Sequence, residues 1–498
     1  MKRGSITPFC AVSVMLIASL LFALLESARV YGLDCYAGLK AETGIDSVCA
    51  EYHPFLWEEY GLLFLDAAYG TGHFSEDYMT ESMENHMSAN CDSTGWIQEK
   101  MALDLMRAEV EEVQLEGYAL ATDAGGDTFL TYVAERAKEK LPLGLAEDLY
   151  QQYQKTQKLE CENTRVEASV LEAEQVLRKT EAEWFQKQKE TDSDTDIKPD
   201  TSALKNVLAS AGNMQNSGIL NLIYGDLSGI SQKYSCLSDN LGNRKKMEGN
   251  MYFSEKKEWY RKLLVLEYME EFFSSYTNKK EGHFLEYEME YVITGNVAER
   301  KNLEEALERI LLIREAANVT YLLQDKGKMA LVDGLAGAVG LIAGENPGVV
   351  KVIQIGIVAA WAYMESILDV RELVAGGCIP LIKQAEEWTT TFTGMLTAFD
   401  KSARANACTQ GLRYADYLKQ ILFFVKDSEV ADRMMEVMEM GMRQKNEFEN
   451  GRMNHMVVAM RYKLCFQSQP LFSSLVSVGE KYNGDYYFWK NVERSYVP

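Results

Sequence analysis

Apolar side chains first occur as an unbroken block near the amino terminus. Residues 6–25 carry no charge, and about twenty such residues in a helix cross a hydrocarbon core of roughly 30 Å. Lys2 and Arg3 precede the block and Glu26-Ser27-Ala28-Arg29 comes directly after it. Positive charge before a span keeps that end in the cytoplasm and places the downstream chain outside. Beyond the block, Val30, Leu33, Ala37, Ala41 and Val48 keep the spacing of one helical face. One helix is therefore expected from residue 8 to about residue 52, roughly 65 Å long. Three readings of this stretch stand side by side. It is a cleavable signal peptide cut near Val30-Tyr31-Gly32, a plain single-pass anchor, or an anchor that also serves in assembly. The continuation of the helical pattern past the cut favours retention.

The pattern then divides the chain into segments. Residues 1–54 are anchor and helical stalk, and 55–98 form an aromatic and polar segment (Phe55, Trp57, Tyr60, Phe64) expected to pack on the stalk. Residues 99–189 read as a coiled-coil-like helical hairpin. Its first seam is Leu103, Met106, Val110, Val113, Gly117 and Leu120, interrupted at Gly125-Gly126. Its second is Leu159, Asn163, Val166, Val170, Ala173, Leu177, Thr180 and Trp184, with Asn163 as the polar position that sets register. Residues 190–202 are an acidic linker.

Residues 203–450 read as a helical domain. Its Asn302 to Tyr321 stretch is strongly amphipathic, with Leu303, Leu307, Ile310, Leu311, Arg314 and Ala317 on one face. Two apolar runs within 329–364 are too short and too charged for comfortable spans, and a buried helical hairpin is expected there. A Met-rich face (Met434, Met435, Met438, Met442) comes next, with Ser428 as N-cap. From residue 451 the period becomes two: Met456, Val458, Met460, Tyr462, Leu464 and Phe466 alternate with their neighbours. Leu471 to Val478 and Tyr486 to Val492 also read as strands. The fold class expected is mainly α with a small C-terminal β-sheet.

Composition narrows the chemistry. With 51 basic against 74 acidic residues, the formal charge of −23 repels phosphate, so no nucleic-acid partner is expected. Of nine cysteines, Cys10 lies in the apolar block and eight lie beyond it, at 35, 49, 91, 161, 236, 378, 408 and 465. No CxxC pair occurs and no spacing selects a disulfide, so they are read as dispersed thiols packing as small hydrophobes. The five histidines are scattered, no phosphate-binding loop or nucleophile elbow occurs, and Gly334, Gly337 and Gly340 suit close helix packing. No catalytic residue, metal ligand or cofactor is expected. Asn318-Val-Thr320 has the glycosylation form but falls within an amphipathic helix. The polar residue that stands out is Glu26. It is placed to pair with Arg29 one turn on, or with a cation of a neighbouring subunit, or simply to mark the end of the apolar run.

Arg3-Gly4-Ser5-Ile6-Thr7, the apolar run, and Leu25-Glu26-Ser27-Ala28-Arg29 together resemble the N-terminus of TadE-like pseudopilins of the Flp/Tad pilus system. The tail Arg461-Tyr-Lys-Leu-Cys-Phe-Gln-Ser-Gln-Pro470-Leu-Phe resembles the strand segment that closes those proteins. The sequence departs from them at Phe9, where they usually carry Glu. More of the chain resembles a family of unknown function from anaerobic Gram-positive bacteria, often encoded beside pilus genes. That resemblance is carried by 4–29, 56–62 and 285–291, then by Leu311-Leu-Ile-Arg-Glu-Ala316, 360–371 and Asp416-Tyr-Leu418. It implies location and genetic company but no mechanism; the role expected is that of a membrane-anchored extracytoplasmic assembly protein, with TadE/TadF-like pseudopilins and pilus subunits as candidate partners. Gly4, Glu26 and Arg29 are then the interaction and anchoring candidates, and the first helix is expected to pack on the C-terminal sheet as a pilin-like module with a large helical insertion. The alternatives are a surface hydrolase or glycan-binding protein built from dispersed residues, and a secreted protein freed by signal cleavage.

Overall fold

A computed structural model describes residues 6–91, 105–162, 166–191, 200–235, 241–251, 258–406, 408–472 and 484–497. The chain forms two compact units. The first comprises Met1–Arg136, Asp239–Lys256 and Gly441–Pro498, the second Ala137–Ser238 and Lys257–Met440. In chain order the second is thus inserted into the first. The described residues are mainly helical, with one long N-terminal helix and one small antiparallel sheet.

In the first unit, helix α1 (Ile6–Cys49) is a single element of 44 residues. Its first twenty residues keep their apolar side chains exposed, Phe9 at 72% and Leu20 at 62%. From Leu33 onward one face is buried, through Ala37, Ala41, Ile45 and Val48, at the three- and four-residue spacing of a helical stripe. Helix α2 (Pro54–Tyr60) opens on proline, whose missing N–H is no loss there, and closes on Gly61 at φ 64°. Strand β1 (Leu65–Asp66), helix α3 (Glu76–Cys91), strand β2 (Glu109–Leu120) and helix α4 (Asp123–Ala137) come next; strands β3 (Met456–Ser468) and β4 (Tyr486–Ser495) return at the end of the chain. Strand β3 is central. Strand β2 pairs along one side, and β4 along the other, with β1 beside the first two residues of β3 on that same side. The buried stripe of α1 packs with Met460, Tyr462, Leu464 and Phe466 of β3 and with Phe488 and Val492 of β4. Met79, Met83 and Met87 of α3 complete this core. Gly44 permits their approach, since a Cβ there would lie 2.4 Å from Met87 Sδ.

One expectation is overturned. Of the first seam of the hairpin expected at 99–189, Val110, Val113, Gly117 and Leu120 lie in strand β2 and Met106 in the turn before it, so no helix of residues 105–120 pairs with the second seam. The cause is irregular pairing with β3. Register shifts fall between Val110 and Glu112, Leu115 and Gly117, and Ala119 and Leu120. At the first two the extra residue, Glu111 or Glu116, lies in β2 and adds one to the usual spacing of two; at the third it is Val458 of β3. The side chains that reach the core are therefore Val110, Val113, Leu115, Tyr118 and Leu120. Three-residue steps among them mimic a helical seam. The turn after β2 has φ of 52°, 68° and 88° at Ala124, Gly125 and Gly126, where helix α4 has not yet begun in earnest.

The second unit contains α5 (Leu143–Glu162), α6 (Val166–Thr191), α7 (Ser202–Gln215), α8 (Ile219–Ile223) and α9 (Glu258–Phe272). It continues with α10 (Glu288–Thr294), α11 (Glu299–Gln324), α12 (Lys326–Ile342), α13 (Pro347–Val374), α14 (Tyr414–Phe423) and α15 (Asp427–Arg443). Asn346 caps α13 and Asp325 caps α12, each accepting backbone N–H bonds of the first turn. Helix α13 is the hub, packed by α6, α7, α11 and α12. The second seam lies against it. Gly356 comes so close to Ala173 that an added Cβ would sit 2.1 Å from the alanine methyl. Helix α13 is also apolar and long enough to cross a membrane, but 56% of its most apolar window is buried within the protein. Most of the acidic linker, the register position Asn163, and residues 473–478 of the expected strand at 471–478 lie outside the described residues, as does Gly4.

Candidate functional site

Burial on α1 begins abruptly at the two polar residues singled out in the sequence. Glu26 and Arg29 are only 5% and 8% exposed, although no residue of α1 before them is buried. They sit one turn apart, and the Arg29 guanidinium donates to Glu26 Oε1 at 3.0 Å. The other donors of Arg29 reach the far end of the chain and the lead-in to β2. Nε donates to the Leu105 carbonyl (2.7 Å), Nη1 to the Gln469 carbonyl (3.0 Å) and Nη2 to Ser468 Oγ (2.9 Å). Glu26 in turn accepts the Phe472 N–H at 2.7 Å and that of Leu471 at 3.3 Å. Ser468 Oγ donates its own proton to the Arg107 carbonyl at 2.7 Å. Phe22, one turn before Glu26, stacks on Phe472 with ring centres 6.2 Å apart.

The pair therefore works as a clamp. It ties the end of the apolar block to the chain just after β3, and both carboxylate oxygens are occupied within one molecule. A charge-assisted, fully engaged pair of this kind is rigid and directional. Farther along α1, Lys490 bonds Asp34 (2.8 Å), and Arg494 bonds Asp46 (2.7 Å) and Glu42. These exposed pairs contribute little energy each but repeat the same helix-to-β4 register. The clamp joins two stretches far apart in the chain, 25–29 and 461–472. Sequence reasoning missed Ser468 and the carbonyls of Leu105 and Gln469, because a backbone acceptor leaves no trace in residue type.

The second unit holds its charges differently. Arg314, on the apolar face of α11, is fully buried and donates through Nε to Asp369 (3.0 Å) and through Nη1 to the carbonyls of Pro380 and Leu381 (2.8 Å each) and to the Tyr417 hydroxyl (3.1 Å). The Lys383 ammonium lies 2.5 Å from Asp369 Oδ1 and also pairs with Glu365. Glu365 accepts the Thr389 and Thr390 N–H groups at 2.9 Å each. Two cations and two carboxylates thus balance inside the core. Burial pushes the Asp369 carboxyl up, but Lys383 and Arg314 outweigh it and hold it below the usual carboxylate range. Asn318, the asparagine of the glycosylation-like triplet, is also buried and bonds Arg314, Ser366 and Asp369.

A neighbouring group staples loops. Glu288, Glu290 and Glu299 accept the N–H groups of Ser274, Tyr276 and Tyr287 respectively, at 2.7–2.9 Å. Glu290 is wholly buried. Its Oε1 also accepts the Tyr414 hydroxyl (2.7 Å), while Oε2 has no hydrogen-bond partner. Burial pushes its carboxyl up from 4.5 to about 7, against the pull of those two bonds. Native Glu290 then holds its proton more tightly than the unfolded chain does. Stability from this residue is full below pH 4.5 and falls as pH rises towards 7. The difference between wild type and Glu290→Gln is expected to shrink by about 3 kcal/mol across that window, read from urea unfolding at a series of pH values.

The charged side chains of both sets are buried. In the second unit a cleft of about 330 Å³ is lined mainly by apolar residues, Val319, Leu323, Met329, Ile355 and Val358 among them, with Lys351 and Gln354 also in its wall. In the first, a polar cleft of about 540 Å³ is bordered by Phe55, Glu58, Glu59, Lys445, Glu447 and Phe448. Among the described residues no three His, Cys, Asp or Glu side chains are grouped to hold a metal ion.

A family model covers residues 198–468, which is 271 of the 498 residues and more than half of the chain. The chain belongs to a family of unknown function, DUF5702. That span takes in the buried charges around Arg314, the loop-stapling glutamates and all of β3. It excludes α1 and β4. No curated protein and no solved structure matches the chain.

Proposed function

We propose that this protein is a membrane-anchored, extracytoplasmic structural component of a Flp/Tad-type pilus or a related envelope apparatus, and that it acts by assembly rather than catalysis. Support comes chiefly from one observation: the outer half of α1 packs across an antiparallel sheet centred on the C-terminal strand β3, while its inner half is apolar and has no buried residue. This is the layout of a pilin-like module, in which an N-terminal helix serves both as membrane span and as backbone of the folded head. The clamp favours retention of the helix over cleavage. A cut after Gly32 removes Glu26 and Arg29, and with them the partners of Ser468, Gln469, Leu471 and Phe472. The apolar half would then dock against similar helices of pseudopilin-like partners in the bilayer, and the acidic insertion would meet pilus subunits outside.

The test is the first residue of the protein isolated from its own membranes. Met1, or Ser5 after prepilin processing, is expected, with the protein resisting carbonate extraction. A start near Leu33, with the protein free of lipid, would overturn the reading.

A further inference from the structure

The loop after α13 is drawn back on itself at two cysteines. Cys378 and Cys408, thirty positions apart, bring their sulfurs to 3.1 Å. Each thiol also points at the backbone carbonyl of the other, Cys378 Sγ at 3.1 Å and Cys408 Sγ at 2.8 Å. The segments that carry them are tied just beyond by a reciprocal backbone pair, Ile379 N–H to Leu412 O and Leu412 N–H to Ile379 O, both 2.9 Å. Gly411 makes this approach feasible. A Cβ there would lie 2.7 Å from the backbone at Ile379 and Pro380, and 3.0 Å from Cys408 Sγ. Two thiols held this way need a shift of only about 1 Å to reach the bonded distance of ~2.05 Å.

We propose that Cys378 and Cys408 form a structural disulfide in the mature protein. The inference rests on the extracytoplasmic reading above, because such bonds persist in oxidising compartments. The oxidant is a protein or small-molecule disulfide. One cysteine, as thiolate, attacks that disulfide, forms a mixed disulfide and releases one thiol. The second cysteine then attacks the mixed bond, joins the two residues and releases the other thiol. Two protons leave the cysteines and two electrons reduce the oxidant. Burial, and then the neighbouring Cys378, push the Cys408 thiol up to about 12. A thiol that basic is a slow leaving group, which disfavours attack on the Cys378 sulfur.

What the bond would hold is specific. The loop it closes delivers Lys383 to Glu365 and Asp369, the Pro380 and Leu381 carbonyls to Arg314, and Thr390 to Trp361 Nε1 at 2.9 Å. Closing it restricts the unfolded chain and so protects the buried charge network.

The experiment traps thiols with N-ethylmaleimide in the producing cells and maps peptides of the full-length protein without reduction. A cross-linked peptide pair containing residues 378 and 408 is expected. In parallel, intact cells are treated with a membrane-impermeant maleimide that reports on the exposed Cys35. If Cys35 is labelled from outside while 378 and 408 are recovered alkylated, the disulfide is wrong and the topology stands. If Cys35 is labelled only after lysis, the topology is wrong. The bond is then judged on purified protein equilibrated with oxidised glutathione, where recovery of both residues without a 378–408 link overturns it. In the oxidised protein, reduction is expected to lower the melting temperature by roughly 5–10 °C, a shift absent from Cys408→Ser.

Discussion

Arg314→Met is expected to destabilise the second unit by about 3–5 kcal/mol, the largest effect of any single substitution here, because it strands a buried carboxylate. Asp369 would keep Lys383 and Asn318 but lose the guanidinium that meets its Oδ2, while the Pro380 and Leu381 carbonyls lose their donor. Urea midpoints measure the loss. The pH dependence adds a second readout. Asp369 is held below its unfolded value, so its contribution is present above about pH 4 and is lost as pH falls further. In Arg314→Met that acid-side loss should be smaller than in wild type, since less stabilisation remains to lose. Adding Asp369→Leu removes the stranded charge and leaves Lys383 paired with Glu365, and most of the stability should return. No recovery in the double variant would mean that the packing of α11 on α13, and not charge balance, depends on Arg314.

Arg29→Ala is expected to cost the first unit about 2–4 kcal/mol, from one ion pair and three further bonds lost at a buried site. Thermal unfolding of the detergent-solubilised full-length protein, with limited proteolysis tracking release of the C-terminal segment, measures this cost. Glu26→Gln should be milder, about 1–2 kcal/mol, because its one amide oxygen can still accept at one of the two carboxylate positions, for instance from the Phe472 N–H, while its NH2 takes the other position and loses the bond there. The pair also separates two roles. If Glu26 served a cation on a neighbouring subunit, Glu26→Gln would leave the isolated protein's stability untouched and abolish assembly alone. The clamp geometry leads to the opposite result, a loss of stability in the isolated protein.

The legibility of the fold in the chain differs from element to element. Helix α1 was legible, since its apolar block and the later three- and four-residue stripe are both local. So were β3, where Tyr462, Leu464 and Phe466 alternate with Arg461, Lys463, Cys465 and Gln467, and β4, rich in aromatics. Arg314 was legible as a residue on the apolar face of its helix, but a charge on that face does not name its partner fifty-five residues away. Strand β2 was misread because bulges lengthen its inward spacing from two to three at intervals. The pairing of Cys378 with Cys408 leaves no mark in spacing.

Local periodicity and the position of charge at its ends determined that residues 6–25 belong to a helix long and apolar enough to cross a membrane, with Glu26 and Arg29 directly after that run. Those properties belong to neighbours within a turn or two. Only tertiary structure decided that the pair grips residues 468–472, that β2 joins the sheet, and that four charges and two thiols meet inside the insertion. Such contacts depend on backbone carbonyls, bulges and chain reversals, and these arise only when distant segments are packed against one another.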